Sequence, residues 1–134
     1  MEVLRSEVLP IRSSQDLVLV RQAVRTWAAE LKFSLVEQTK VVTAASELAR
    51  NTLDYGKGGE VTLEVLAEGI RKGLRLSFVD KGPGIPDIEL ALRDGFTSGG
   101  GMGLGLGGAK RLMSEFAIES KVGEGTRVTV TRWK

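Results

Sequence analysis

Apolar and polar positions follow two different periods along this chain of 134 residues. In SSQDLVLVRQAVRTWAAELKF, Leu17, Val20, Val24, Trp27 and Leu31 recur every three or four residues behind serines able to cap, which predicts an amphipathic helix. A second helix is predicted in SLVEQTKVVTAASELARNTLDYGKGG. Ser34 and Glu37 form a capping box there, Leu35, Val42, Ala45, Leu48 and Ala49 or Leu53 trace the apolar stripe, and Gly56, Gly58 and Gly59 stop it. Elsewhere the period drops to two. EVLRSEVLPI reads as an edge strand ending at Pro10, and EVTLEVLAEG and GLRLSFVDKG form a hairpin around IRK. Next come the turn-rich DKGPGIPD, a short helical DIELALRDGF, and a helical GGAKRLMSEF. The closing FAIESKVGEGTRVTVTRWK is a hairpin turning at Gly123 to Gly125.

The predicted order is strand, two helices, two strands, a loop-rich segment, a helix and two strands. Helices grouped apart from strands imply a layered α/β sandwich instead of alternating βαβ units. Length and the 42% hydrophobic content suit a single domain spanning 1–134 with one core. The 19 basic and 17 acidic residues are spread along the chain, so no basic stripe marks a nucleic-acid partner. With no cysteine, disulfides, thiolate metal sites and cysteine nucleophiles are excluded. Histidine is absent too, which excludes a Ser-His-Asp triad, a histidine phosphoacceptor on this chain and a His-Arg-Asp catalytic loop. MEVLRSEVLPI lacks a signal pattern and no apolar run nears the roughly 20 residues of a membrane span, so a soluble, cytoplasmic protein with no membrane partner is expected.

GFTSGGGMGLGLGGAKRLM, from Gly95 to Met113, concentrates glycine ahead of a helical run. It is not a Walker loop, which needs Gly-Lys followed by a hydroxyl; the chain's Gly56-Lys57 pair precedes Gly58. Gly103, Gly105 and Gly108 match a dinucleotide fingerprint only on paper, since RDGFTSGGGM and not a strand precedes them. A solvated linker would not interleave Met102, Leu104 and Leu106. The remaining reading is a loop whose N–H groups, with the following helix start, surround phosphate oxygens. Such a site needs further parts. Glu47 and Asn51 stack four apart on the second helix with Asp54 three further on, Asp80 ends a strand before two glycines, and Thr126 enters the last strand. Taken singly, a solvated polar stripe with an ordinary Glu47–Arg50 pair, a turn-capping aspartate and a plain β-former explain these positions.

Their order is more specific: E-x-x-x-N on a helix, D-x-G-x-G at a strand end, a glycine-rich stretch before a helix, then G-x-G-T. Over nearly the whole chain this resembles the GHKL (Bergerat-fold) superfamily of ATP-binding domains, and TAASELARNTLDYGKG, DKGPGIPDIELALRDGF and GAKRLMSEF resemble its small serine/threonine switch kinases of bacterial stressosome signalling. The resemblance implies an α+β fold, a two-layer sandwich with a mixed sheet, helices on one face and a glycine-rich ATP lid. It implies ATP and Mg²⁺, with Glu47 as the carboxylate that orients or deprotonates the attacking hydroxyl and Asn51 completing the metal shell. Asp80 would read adenine with Thr126 beside it, Gly82 and Gly84 would admit the base, and Gly101, Gly103, Leu104 and Gly105 would lie at the phosphates. Gly99, Gly100, Gly107 and Gly108 exceed what the motif requires, and Arg50, Lys81 and Lys110 are the candidate cations for the γ-phosphate. Implied partners are STAS-domain substrates and a PP2C-type phosphatase; an anti-sigma-factor-like binding module is the alternative.

Overall fold

The computed structural model describes residues 1–93 and 105–134. The chain runs β1 (Glu2–Ile11), α1 (Ser14–Glu30), α2 (Leu35–Asp54), β2 (Gly59–Glu68), β3 (Arg71–Asp80), α3 (Ile88–Ala91), α4 (Gly105–Leu112), β4 (Glu115–Lys121) and β5 (Gly125–Trp133). The order of helices and strands read from the periodicity is the order observed.

Five strands form one sheet in the order β1-β2-β3-β5-β4, every neighbouring pair antiparallel. The sheet is therefore antiparallel throughout, not mixed. The crossover that leaves β3 through α3 and α4 lands on the outer strand β4, and β5 then folds back between β4 and β3. Among the described residues no two parallel strands become neighbours.

Alternation along each strand sorts its side chains. Val61, Phe78, Val128 and Ile118 line up across four strands, and Leu63, Leu76, Val130 and Phe116 form the next row. Those rows meet the apolar faces of α1 (Val20, Val24, Trp27, Ala28) and α2 (Val41, Val42, Ala45, Leu48, Ala49) in one buried cluster. Leu17 and Leu31 pack at its margin, whereas Leu35 is 80% exposed: as the first helical residue behind its cap, it lies outside the predicted stripe. The sheet's outer strand β1 is tied down by Arg5, which stacks 3.8 Å over Trp27 and reaches Glu30 at 3.2 Å.

Two boundaries differ from the periodicity. The β2–β3 turn contains only Gly69 and Ile70, with Gly69 at φ +63°, so β3 begins at Arg71 and Gly73 lies within the strand. Short turns of this kind match the twist of the paired strands. Helix α4 stops at Leu112 instead of continuing through Phe116, because Ser114 N–H donates to Thr131 O (2.8 Å) and Phe116 enters the sheet opposite Val130.

The capping box at α2 is present as expected. Ser34 Oγ accepts from Glu37 N (3.1 Å) and Glu37 Oε1 accepts from Ser34 N (3.1 Å), which holds the Glu37 carboxyl below its ordinary range. Ser34→Ala removes half of this exchange and should cost about 1 kcal/mol in urea unfolding, with the unfolding slope unchanged.

Candidate functional site

The C-terminal half of α2, the end of β3 and the start of β5 converge beneath the N-terminus of α4. They enclose a cavity of about 330 Å³ whose wall includes Asn51 and Tyr55 from α2, Asp80 from β3, Thr126 from β5, and Gly105 and Leu106 from α4. Ile85, Leu90 and Ala91 make its remaining surface largely apolar. A concave apolar slot with a few polar groups at defined points is the usual form of a small-ligand site.

Asp80 is the most constrained of these polar groups. It lies between Gly59 of β2 and Thr126 of β5 in the sheet register, and its Oδ1 accepts from Gly82 N at 2.9 Å. Burial pushes its carboxyl above the ordinary aspartate range, against the opposing pull of the Gly82 and Thr126 N–H groups. A β-carbon at Gly56 would overlap the Asp80 carboxylate, and one at Gly82 would come within 2.7 Å of Gly56 O. Gly82 therefore lets the β3 exit lie against the end of α2. Gly84, at φ +78°, packs on the backbone of Lys121 and Val122. Neither belongs to the cavity wall; both set the path of the chain beside it.

Glu47 is half-buried one turn before Asn51, and its Oε1 accepts from Gly105 N, the first residue of α4, at 3.1 Å. A charged acceptor on a helix N-terminus gains from both hydrogen bonding and the aligned peptide dipoles. Asn51 forms part of the cavity wall, whereas Glu47, one turn earlier on α2, does not and meets that wall through its bond to Gly105. Asp54 is exposed, as are Arg50, Lys81 and Lys110, and none of the four forms part of the wall. Gly101, Gly103 and Leu104 lie outside the described residues, as do Gly99 and Gly100. Gly105 is buried at φ +69° in the wall itself.

The family match is decided over most of the chain. A model of the histidine kinase-, DNA gyrase B- and HSP90-like ATPases matches residues 36–134. The chain belongs to that ATPase family. It is 46% identical over 123 residues, 92% of each chain, to serine/threonine-protein kinase RsbT of Bacillus subtilis (strain 168). It is 30% identical over 129 residues, 92% of this chain and 89% of the other, to an anti-sigma F factor of Thermoanaerobacter sp. (strain X514). The fold is shared with the RsbU and RsbW domains of Rv1364c from Mycobacterium tuberculosis at a TM-score of 0.66 and 23% identity, covering 97% of this chain and 33% of that one.

Within this ATPase fold, two side chains absent from the sequence reading organise the site. Tyr55 lines the cavity and donates its hydroxyl to Gly84 O at 2.8 Å. Its position four residues after Asn51, on the same helical face, was the available signal. Ser120 of β4 accepts from Ile85 N at 2.7 Å and lies 2.7 Å from Thr126 Oγ1. It stands opposite Thr126 across the final hairpin. Together with Gly123 N, which donates to Pro83 O at 2.8 Å, these contacts fix residues 83, 84 and 85 from three separate elements.

The folded chain holds the Asp80 proton more readily than the unfolded chain. Asp80 therefore contributes stability below the unfolded-state value of about 3.9, and that contribution disappears as pH rises through its raised value. A ¹³C titration of its carboxyl should show a midpoint above 3.9. Asp80→Asn should flatten the stability–pH curve across that acidic interval, and coincident curves would contradict the burial argument. Gly56→Ala, which forces a methyl onto the same carboxylate, should lower stability by about 1–3 kcal/mol in chemical denaturation.

Proposed function

We propose that the chain is an ATP-dependent protein serine/threonine kinase that also acts as a partner switch. The observation that carries this reading is the common cavity joining Asn51, Asp80 and Thr126, with Glu47 held at the start of α4 beside it. Adenine enters the apolar slot with its exocyclic amine toward Asp80, a half-buried carboxylate able only to accept when ionised. The phosphates extend toward Asn51 and the α4 N-terminus, where N–H groups favour anions.

Among the described residues no group of three His, Cys, Asp or Glu side chains is placed to cage a metal. Asn51 fits the alternative, one carboxamide oxygen beside substrate phosphates and water, which is how Mg²⁺ is commonly held. Bound there, Mg²⁺ would supply charge neutralisation to the transferring phosphoryl group. Arg50, Lys81 and Lys110 are the candidate side-chain cations. Gly82 and Gly84 shape the approach to the base, and Gly101, Gly103, Leu104 and Gly105 belong to the phosphate region.

A serine or threonine hydroxyl of the protein substrate approaches beside Glu47. Its oxygen bonds to the γ-phosphorus as the bond from that phosphorus to the β–γ bridging oxygen breaks; ADP leaves, and Glu47 takes the hydroxyl proton. The substrates are STAS-domain proteins, and the kinase then engages and activates a PP2C-type phosphatase. Identity of 46% to RsbT supports this over the second reading, an anti-sigma-factor-like module governed by nucleotide, which the 30% identity to anti-sigma F factor favours.

Incubating the chain with γ-labelled ATP and either a STAS-domain protein or a sigma factor separates the two readings. Label on serine or threonine of the STAS protein is expected; nucleotide-dependent sigma-factor binding without transfer would favour the second. Glu47→Gln should retain ATP affinity within about threefold while phosphotransfer falls by about 10²- to 10⁴-fold in single-turnover measurements.

A further inference from the structure

The hydroxyl cluster around Thr126, a residue of the cavity wall, has a definite proton arrangement. Ser120 Oγ accepts from Ile85 N (2.7 Å), lies 3.2 Å from Gly125 O and 2.7 Å from Thr126 Oγ1. A hydroxyl has one proton and two lone pairs. All three contacts are hydrogen bonds at once in only one arrangement: Ser120 donates to Gly125 O and accepts from both Ile85 N–H and the Thr126 hydroxyl. If Ser120 donated to Thr126 instead, it would have no proton for Gly125 O. Thr126 is 8% exposed and forms part of the cavity wall, so the direction of its single proton decides what it offers a ligand.

We infer that Ser120 is a positioning residue that draws the Thr126 proton away from the cavity and leaves Thr126 Oγ1 facing it as an acceptor. This inference rests on the proposed adenine-nucleotide reading of the cavity. The polar end then presents two acceptors, the Asp80 carboxylate and Thr126 Oγ1, matched to an exocyclic amine with two N–H donors. A purine carrying a ring carbonyl in place of that amine sets its carbonyl oxygen directly against these acceptors. Ser120 thereby contributes to selection of 6-aminopurine over 6-oxopurine nucleotides without touching the base. Removing its hydroxyl frees Thr126 to rotate and donate, which relieves the penalty on the carbonyl.

Calorimetric titration of ATP and of inosine triphosphate into the wild type, Ser120→Ala, Thr126→Val and the double variant tests this. The wild type should prefer ATP, and Ser120→Ala should reduce that preference by roughly three- to tenfold, the worth of one hydrogen bond. In the Thr126→Val background the same change should leave the preference unaltered, because the group through which Ser120 acts is gone. Equal loss of affinity for both nucleotides in Ser120→Ala would show a merely structural role for the Ile85 contact. A reduced preference persisting in the Thr126→Val background would also overturn the inference. Should Ser120→Ala fail to fold, Ser120→Cys, with a thiol that hydrogen-bonds weakly, is measured with the same two outcomes. A folded wild type that binds neither nucleotide would instead refute the adenine reading beneath the inference.

Discussion

Around Asp80 the backbone approaches so closely that no β-carbon fits at the contact points. Gly56 lies on its carboxylate, Gly82 lies on Gly56, and Gly125, at φ +122°, lies on the Asp80 carbonyl. The end of α2, the exit of β3 and the entry of β5 thus meet at backbone contact distance. Side chains at these glycines would force the three segments apart. This compression is what places a charged group in partly desolvated surroundings, and burial is the largest cause of its raised proton affinity. A partly desolvated acceptor discriminates among the donors that meet it more than one in bulk water does.

From Asp80 the site extends outward to α2 and α4. Asp80 and Thr126 are paired across the sheet, and the chain after β3 is fastened by Tyr55, Ser120 and Gly123. Asn51 and Glu47 come next on one long helix whose apolar face is buried among sheet residues. In the proposed reading base recognition rests on the sheet, while the groups assigned to the phosphates lie where α2 meets the first residue of α4. On that reading the purine would be held at the sheet and the reacting end completed by nucleotide and protein substrate.

Much of this was legible because periodicity reports directly on burial. The helices and strands follow the three-to-four and two-residue patterns that one covered sheet face demands, and Asn51, Asp80 and Thr126, singled out by their local settings, line one cavity. The boundaries at Gly73 and Phe116 were less legible. The two-residue turn lets β3 start before Gly73, and Phe116 pairs across the sheet although AKRLMSEF reads as helical. The antiparallel sheet depends on which strand the crossover joins, a long-range choice with no local signature. Gly82 and Gly84 drew attention as glycines beside a ligand, yet their described neighbours are protein backbone. Tyr55 and Ser120 each make a hydrogen bond to a residue 29 or 35 positions away, a separation that no window along the sequence spans.

The bond from Gly105 N to Glu47 carries a consequence of its own. A single amide proton serves one strong acceptor well, so a carboxylate and an incoming phosphate oxygen are rivals for it. Whichever anion wins leaves the other to find a new partner. Occupation of that amide by a phosphate would set the acidic side chain loose just as a hydroxyl in need of a proton acceptor comes within reach, so that readiness for chemistry would follow from arrival of the nucleotide without any separate trigger.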